Sequence, residues 1–185
     1  MASVKFPTMA ELEATIDRVR ESPTDCGVLE LIVRRPCPGE REVLDQGELD
    51  LAQGLVGDNW SIRGSQNTPD GMAHPDTQLT IMNSRAIALV AGQKDRWPLA
   101  GDQLFVDLDI SQDSLPLGAR LMIGSAIVEI TSQPHTGCKQ FAGHFGHDAM
   151  RFVNSSEGKK LRLRGLNAKI VRAGVVRVGD AARKL

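Results

Sequence analysis

The 185-residue chain reads as a mainly β protein, a closed barrel with helices on its periphery. Three observations predict this. Short apolar runs recur at 27–34, 78–82, 104–110, 120–123, 126–131, 168–172 and 175–178, separated by turn residues, as the strands of a sandwich or barrel do. Gly124-Ser125 and Ala173-Gly174 are two-residue junctions of the kind that close tight hairpins. No G-x-G-x-x-G or phosphate-binding loop occurs and strand–helix alternation is not sustained, which argues against a doubly wound parallel sheet.

The elements follow in order. Thr8 and Glu11 form a capping box, and Met9, Leu12, Ile16 and Val19 lie on one stripe of the helix it starts. Residues 27–34 form the first core strand, closed by Pro36 and Pro38, with a second strand at 40–44. An acidic, glycine-containing stretch (45–57) leads into Gly57-Asp58-Asn59-Trp60 and then a long polar loop, 61–75. Loops of that length are usually functional, so Asp58, Asn59, Arg63 and His74 are expected to line a site. A strand at 78–82 precedes a helix capped by Asn83 and stopped by Gly92. Leu104, Val106, Leu108 and Ile110 alternate with Phe105, Asp107 and Asp109, the signature of a half-buried strand. Phe141, Phe145, Ala149 and Phe152 recur at helical spacing, while Gly143 and Gly146 each cost about 1 kcal/mol, which predicts a kink or two short helices. The regular pattern ends at Gly179-Asp180.

This length fits one domain, with 1–26 as an N-terminal helix packed on it and 27–185 as the barrel. Such a chain buries a core without disulfides or a structural metal. A net charge of −1 gives no basic footprint for nucleic acid or an anionic membrane, and with 5 Phe, 2 Trp and no Tyr there is no base-stacking surface. Three cysteines without a C-x-x-C pair, namely Cys26, Cys37 and Cys138, indicate free thiols in a reducing compartment. With no apolar leader and no membrane-length run, a cytoplasmic protein is the expectation.

The chemistry centres on Gln133-Pro134-His135-Thr136-Gly137-Cys138-Lys139-Gln140, between a strand and a helix. A cysteine thiol titrates near roughly pH 8.5, and a helix N-terminus or a neighbouring cation lowers that value. His135 and Lys139 are placed to supply such a cation, and Cys138 is expected at a helix mouth, partly exposed and beside His135. Four readings stand open. Cys138 is a small buried hydrophobe, or a thiolate that carries sulfur or binds a soft metal. Otherwise it joins His135, His144 and His147 in a zinc site, or it is a nucleophile that His135 deprotonates.

Several blocks around this stretch resemble the MOSC domain family, named for the C-terminal domain of molybdenum-cofactor sulfurases. They are 101–110 (Gly-Asp-Gln-Leu-Phe-Val-Asp-Leu-Asp-Ile), 115–121 (Leu-Pro-Leu-Gly-Ala-Arg-Leu), 123–131, Cys138, 164–168 (Arg-Gly-Leu-Asn-Ala) and 175–180. Upstream, 54–59 and 78–83 also match, so the likeness spans nearly the whole chain. The resemblance implies a closed β-barrel of MOSC type and a single key cysteine, which maps onto Cys138. In the family that residue is proposed to carry sulfur as a persulfide, and in its reductases it ligates molybdenum of the pterin cofactor. The alternatives are therefore a sulfur carrier, a molybdenum-pterin-dependent reductase of N-hydroxylated compounds, or a non-catalytic adaptor for a desulfurase or molybdoenzyme. Asp58, Asn59, Asn83, Arg164 and Asn167 fall in the matching blocks as cofactor-binding candidates, and Arg162, Arg164 and Lys169 suit a pterin phosphate. The resemblance implies molybdenum cofactor (molybdopterin) and a partner cysteine desulfurase or molybdoenzyme. No pyridoxal phosphate is expected on this chain itself, the desulfurase supplying that chemistry.

Overall fold

The computed structural model describes residues 5–65 and 68–185. The strands are β1 (Cys26–Arg34), β2 (Glu42–Leu44), β3 (Gln46–Asp50), β4 (Gly54–Leu55), β5 (Leu79–Asn83), β6 (Leu104–Asp107), β7 (Arg120–Ile123), β8 (Ala126–Ile130), β9 (Leu166–Arg172), β10 (Gly174–Arg177) and β11 (Ala181–Lys184). Seven of them close a barrel in the order β1-β6-β5-β9-β8-β7-β11 and back to β1. All pairings in the ring are antiparallel except β5 with β6. β2 extends one end of β1, and β10, β3 and β4 form a separate three-stranded sheet.

The helices are α1 (Met9–Thr15), α2 (Asp17–Arg20), α3 (Trp60–Arg63), α4 (Ser84–Ala91), α5 (Lys139–Phe145), α6 (His147–Asn154) and α7 (Ser156–Lys160). Two apolar cores result. Leu29, Ile32, Ile81, Leu104, Val106 and Val128 belong to the barrel core. Leu31, Val33, Met82 and Phe105, from the same strands, join Leu12, Ile87, Phe141 and Phe145 in a second core beneath the helices. This explains why Phe105, which the alternation assigns to the wetter face, is 0% exposed: helices cover that side of the sheet. α1 packs on α6 and α4, and its first backbone N–H, from Met9, donates to Asp148 at 3.1 Å.

Three expectations change. Ala173-Gly174 does not close a hairpin: β9 stays in the barrel between β8 and β5, whereas β10 leaves it to pair with β3. The crossing is close, since a Cβ on Gly174 would lie 2.6 Å from the Ser125 backbone, which only glycine permits. Regular structure continues past Gly179-Asp180 into β11, the strand that completes the ring. The stretch 45–57, read from the sequence only as an acidic, glycine-containing lead-in, holds β3 and β4. The post-cysteine helix divides at Gly146, which takes φ +92 between α5 and α6. No helix among the described residues is long and apolar enough to cross a membrane.

Candidate functional site

Two arginines follow or precede barrel strands, and each is buried against one carboxylate. Arg35, the residue after β1, donates through Nε and Nη2 to Asp58 Oδ2 and Oδ1, both at 2.9 Å. Asp58 also accepts the backbone N–H groups of Arg35 at 2.9 Å and Trp60 at 3.0 Å, so both its oxygens are in use. The remaining Nη1 of Arg35 donates to the Gly101 carbonyl at 2.9 Å. Arg164, two residues before β9, repeats the design. Its Nη1 donates to Asp102 Oδ2 at 2.5 Å and its Nη2 to the Ala100 carbonyl at 2.8 Å, while the guanidinium lies 5.0 Å over the Phe141 ring. Both carboxylate side chains are 0% exposed, and both arginines hold the 100–101 backbone.

His135 enters the second of these pairs. Its Nε2 is 2.8 Å from Asp102 Oδ1 and 2.7 Å from Arg164 Nη1. Burial would raise the Asp102 carboxyl, but Arg164 and His135 together outweigh it and hold the group below the usual carboxylate range. Nε2 thus faces an acceptor, Asp102 Oδ1, and a donor, Arg164 Nη1, and the ring tautomer decides which of the two contacts is the hydrogen bond. Burial, then the charge of Arg164, lowers the His135 pKa against the opposing pull of Asp102. His135 is therefore neutral and is not the cation expected beside Cys138. Arg164 is the fixed positive charge in its place. Gly165 makes room for the group: with φ +98, a Cβ there would lie 2.5 Å from the Ile81 carbonyl and 3.3 Å from both Asp102 Oδ1 and His135 Cδ2.

Arg35, Arg41, Arg63 and Arg164 all line one cavity of about 490 Å³, together with Cys37, Asn59, Thr80, His135, Cys138, Phe141 and Asn167. Arg41 donates only to backbone carbonyls, those of Pro98 and Glu40. Burial, and then the charge of Arg35, pushes the pKa of both Arg41 and Arg63 down. Four guanidinium groups thus face the cavity against the two buried carboxylates behind Arg35 and Arg164. An anion relieves that imbalance. Two buried polar atoms of the lining, Asn59 Oδ1 and Arg164 Nε, have no partner among the described residues.

Cys138 stands at the N-cap of α5, exposed, with its thiol not engaged in capping. The loop before it is held at both ends. Asn167 Nδ2 donates to the Gln133 and Pro134 carbonyls, each at 3.2 Å. Asn154 of α6 both accepts from the Gly137 N–H and donates to its carbonyl, each at 2.9 Å. Cys138 and His135 line the same cavity, and the Nε2 of His135 is turned to Asp102 and Arg164.

The structure therefore gathers Asn59, His135, Cys138, Arg164 and Asn167 at one cavity, with Asp58 directly behind Arg35. It separates two others. Asn83 accepts the Ala86 N–H as N-cap of α4 and donates to Ser22 and the Leu108 carbonyl, so its amide is fully engaged away from the cavity. Lys139 is exposed on α5 and is not among the lining residues. Arg162 donates to the Ile110 and Leu115 carbonyls, and Lys169 pairs with Glu129, which are structural duties. His74 caps the turn at Pro75–Thr77 by accepting the Asp76 N–H. Among the described residues no group of three or more His, Cys, Asp and Glu side chains is placed to hold a metal, so His144 and His147 do not join Cys138 in a zinc site. Arg35, Arg41, Cys37 and Asp102 are the residues that reading the sequence passed over. Arg35 had a usable signal: a charged residue between the apolar-rich run 27–34 and a proline.

No protein-family model and no curated protein matches the sequence. Solved structures do. The YuaD protein from Bacillus subtilis superposes with a TM-score of 0.59 at 17% identity, covering 85% of this chain and 94% of that one. YiiM from Escherichia coli gives 0.53 at 18% identity over 85% and 69% of the two chains. YiiM from Geobacillus stearothermophilus gives 0.52 at 14% identity over 89% and 74%. YuaD and YiiM are MOSC-domain proteins. The chain has the MOSC-type fold. At these identities the likeness concerns the barrel alone and carries no activity with it.

Proposed function

We propose that Cys138 is the working sulfur of a cavity that takes an anionic molybdenum–pterin ligand, either carrying a persulfide for delivery to it or ligating the metal as thiolate. The single observation supporting this is that an exposed cysteine shares one cavity with four guanidinium groups. The donor set fits such a ligand. Thiolate sulfur suits a soft, thiophilic metal, and planar guanidinium forks suit a phosphate. The unpartnered Asn59 Oδ1 and Arg164 Nε offer an acceptor and a donor to a hydrogen-bonding ring system.

Arg41 and Arg63 would bind the phosphate, and Arg35 and Arg164, fixed by their carboxylates, would keep the wall positive without moving. His135, neutral and oriented by Asp102, would hold or accept a proton beside the ligand. Bound molybdenum supplies two-electron redox chemistry. Incubation with a pyridoxal-phosphate cysteine desulfurase and cysteine should load sulfur on Cys138 of the wild type, trapped by alkylation at early times and mapped by mass spectrometry, and load none in Cys138→Ala. Protein from a host making molybdenum cofactor should retain molybdenum, and lose it in the Arg41→Glu/Arg63→Glu double variant. A wild-type protein that neither gains sulfur nor retains molybdenum sinks the reading.

A further inference from the structure

Cys37 carries no motif in the sequence, yet it is exposed and lines the same cavity as Cys138. We propose that Cys37 is the second working thiol of this site, discharging a persulfide on Cys138 by forming a Cys37–Cys138 disulfide and releasing hydrosulfide. The inference rests on the persulfide reading of Cys138.

Local structure places Cys37 for reaction rather than burial. The Glu40 N–H donates to the Cys37 carbonyl at 3.1 Å, closing a four-residue turn with Pro38 and Gly39 at its centre. Gly39 takes φ +87, the left-handed value that a type II turn requires after proline. Pro36 precedes the cysteine, and Arg35 before that is clamped to Asp58, so the base of the turn is fixed. The position is open: nothing lies within 4 Å of a Cβ built on Gly39. Cys26, on β1, is also exposed but does not line the cavity. Two thiols, and not the third, therefore share the arginine-rich space.

The step balances without an external oxidant. The Cys37 thiolate attacks Cys138 Sγ, the Cys138 Sγ–sulfur bond of the persulfide breaks, and its outer sulfur leaves with the electron pair as hydrosulfide. The persulfide's sulfane sulfur is reduced to sulfide, and the two cysteines are oxidised to one disulfide, which a small dithiol reductant returns to thiols. The attacking and departing groups are both anions, and Arg35, Arg41 and Arg164 around the cavity suit both.

The test has two arms. In the first, the reduced protein is treated with diamide and its disulfides are mapped by mass spectrometry without reduction. A disulfide requires Cα atoms within about 7 Å, so closure directly measures the reach of the two loops. A Cys37–Cys138 link in the wild type and in Cys26→Ser is expected, and its absence overturns the proposal. In the second, Cys138 is loaded with sulfur by polysulfide in wild type, Cys37→Ser and Cys26→Ser, and sulfide release is followed. Release should slow roughly ten-fold or more in Cys37→Ser only, with the persulfide accumulating there. Equal release in all three overturns the discharge step. If the diamide link forms but no variant ever holds sulfur on Cys138, the carrier reading itself has failed, and the discharge step with it.

Discussion

The four arginines of the cavity fall into two pairs that differ in what stands behind them. Arg35 and Arg164 are each tied to a fully buried carboxylate and to a backbone carbonyl. Arg41 and Arg63 have no carboxylate partner among the described residues and are pushed down in pKa by burial and by Arg35. The first pair is architecture: the charges hold the 100–102 segment and the cysteine loop in place. The second pair is unspent charge, held ready for a ligand. One wall thus combines groups whose loss unfolds the site with groups whose loss only empties it.

The largest effect should come from breaking a tied pair. Asp102→Ala or Asp58→Ala leaves a buried guanidinium uncompensated and should cost about 3–5 kcal/mol, read as a lowered urea midpoint with unchanged slope. A loss under about 1 kcal/mol would mean that these pairs are not structural. Next comes the space between them. Gly165→Ala forces a side chain into positive φ and toward the Ile81 carbonyl, and should cost about 1–3 kcal/mol by the same measurement.

A smaller effect is a pH dependence. The folded-state pKa of His135 is depressed, so the unfolded chain takes up that proton first as pH falls below roughly 6.5. More protons on the unfolded state mean that stability declines with acidification through this window. The depressed Asp102 carboxyl adds a further loss in the same direction below roughly pH 4. His135→Asn should flatten the first decline, and urea midpoints at about pH 7.5 and about pH 5.5 will show it. An unchanged slope would place the proton elsewhere. Smallest in stability are Arg41→Gln and Arg63→Gln, each within about 0.5 kcal/mol of wild type. Each should nevertheless weaken pyrophosphate binding roughly ten-fold or more, measured by the ligand-induced rise in melting temperature. If they unfold the protein as Asp102→Ala does, the distinction between the pairs collapses.

Much of the fold was legible in the sequence, because strands advertise themselves through alternation and turns through glycine and proline. The cap at Asn83, the division at Gly146 and the Gly124-Ser125 hairpin were all readable from local chemistry. Ala173-Gly174 was not. Two strands joined by a short turn look alike whether they pair with each other or with different sheets, and only the distant partners of β9 and β10 distinguish the cases. The site was legible where residues adjoin the cysteine and obscure elsewhere. Asp102, Arg41 and Cys37 carried no local pattern that marked them for the site, and Arg35 only its place between an apolar-rich run and a proline. The meaning of the arginines and of Asp102 depends on neighbours 23 to 66 positions away in sequence, and that of Cys37 on a more distant one still.

By itself the sequence determined a mainly β, single-cysteine-centred protein: period-two runs dictate strands, and the run from Gln133 to Gln140 places a thiol between a strand and a helix. Only the tertiary structure decided what surrounds that thiol. Barrel closure brings the ends of β1, β8 and β9 and the segment before β6 to one place. It is there that buried carboxylates fix two arginines, that burial and Arg164 keep the histidine neutral, and that a second cysteine joins the first at one cavity. Charge and burial are properties of neighbours in space, and one-dimensional spacing does not carry them.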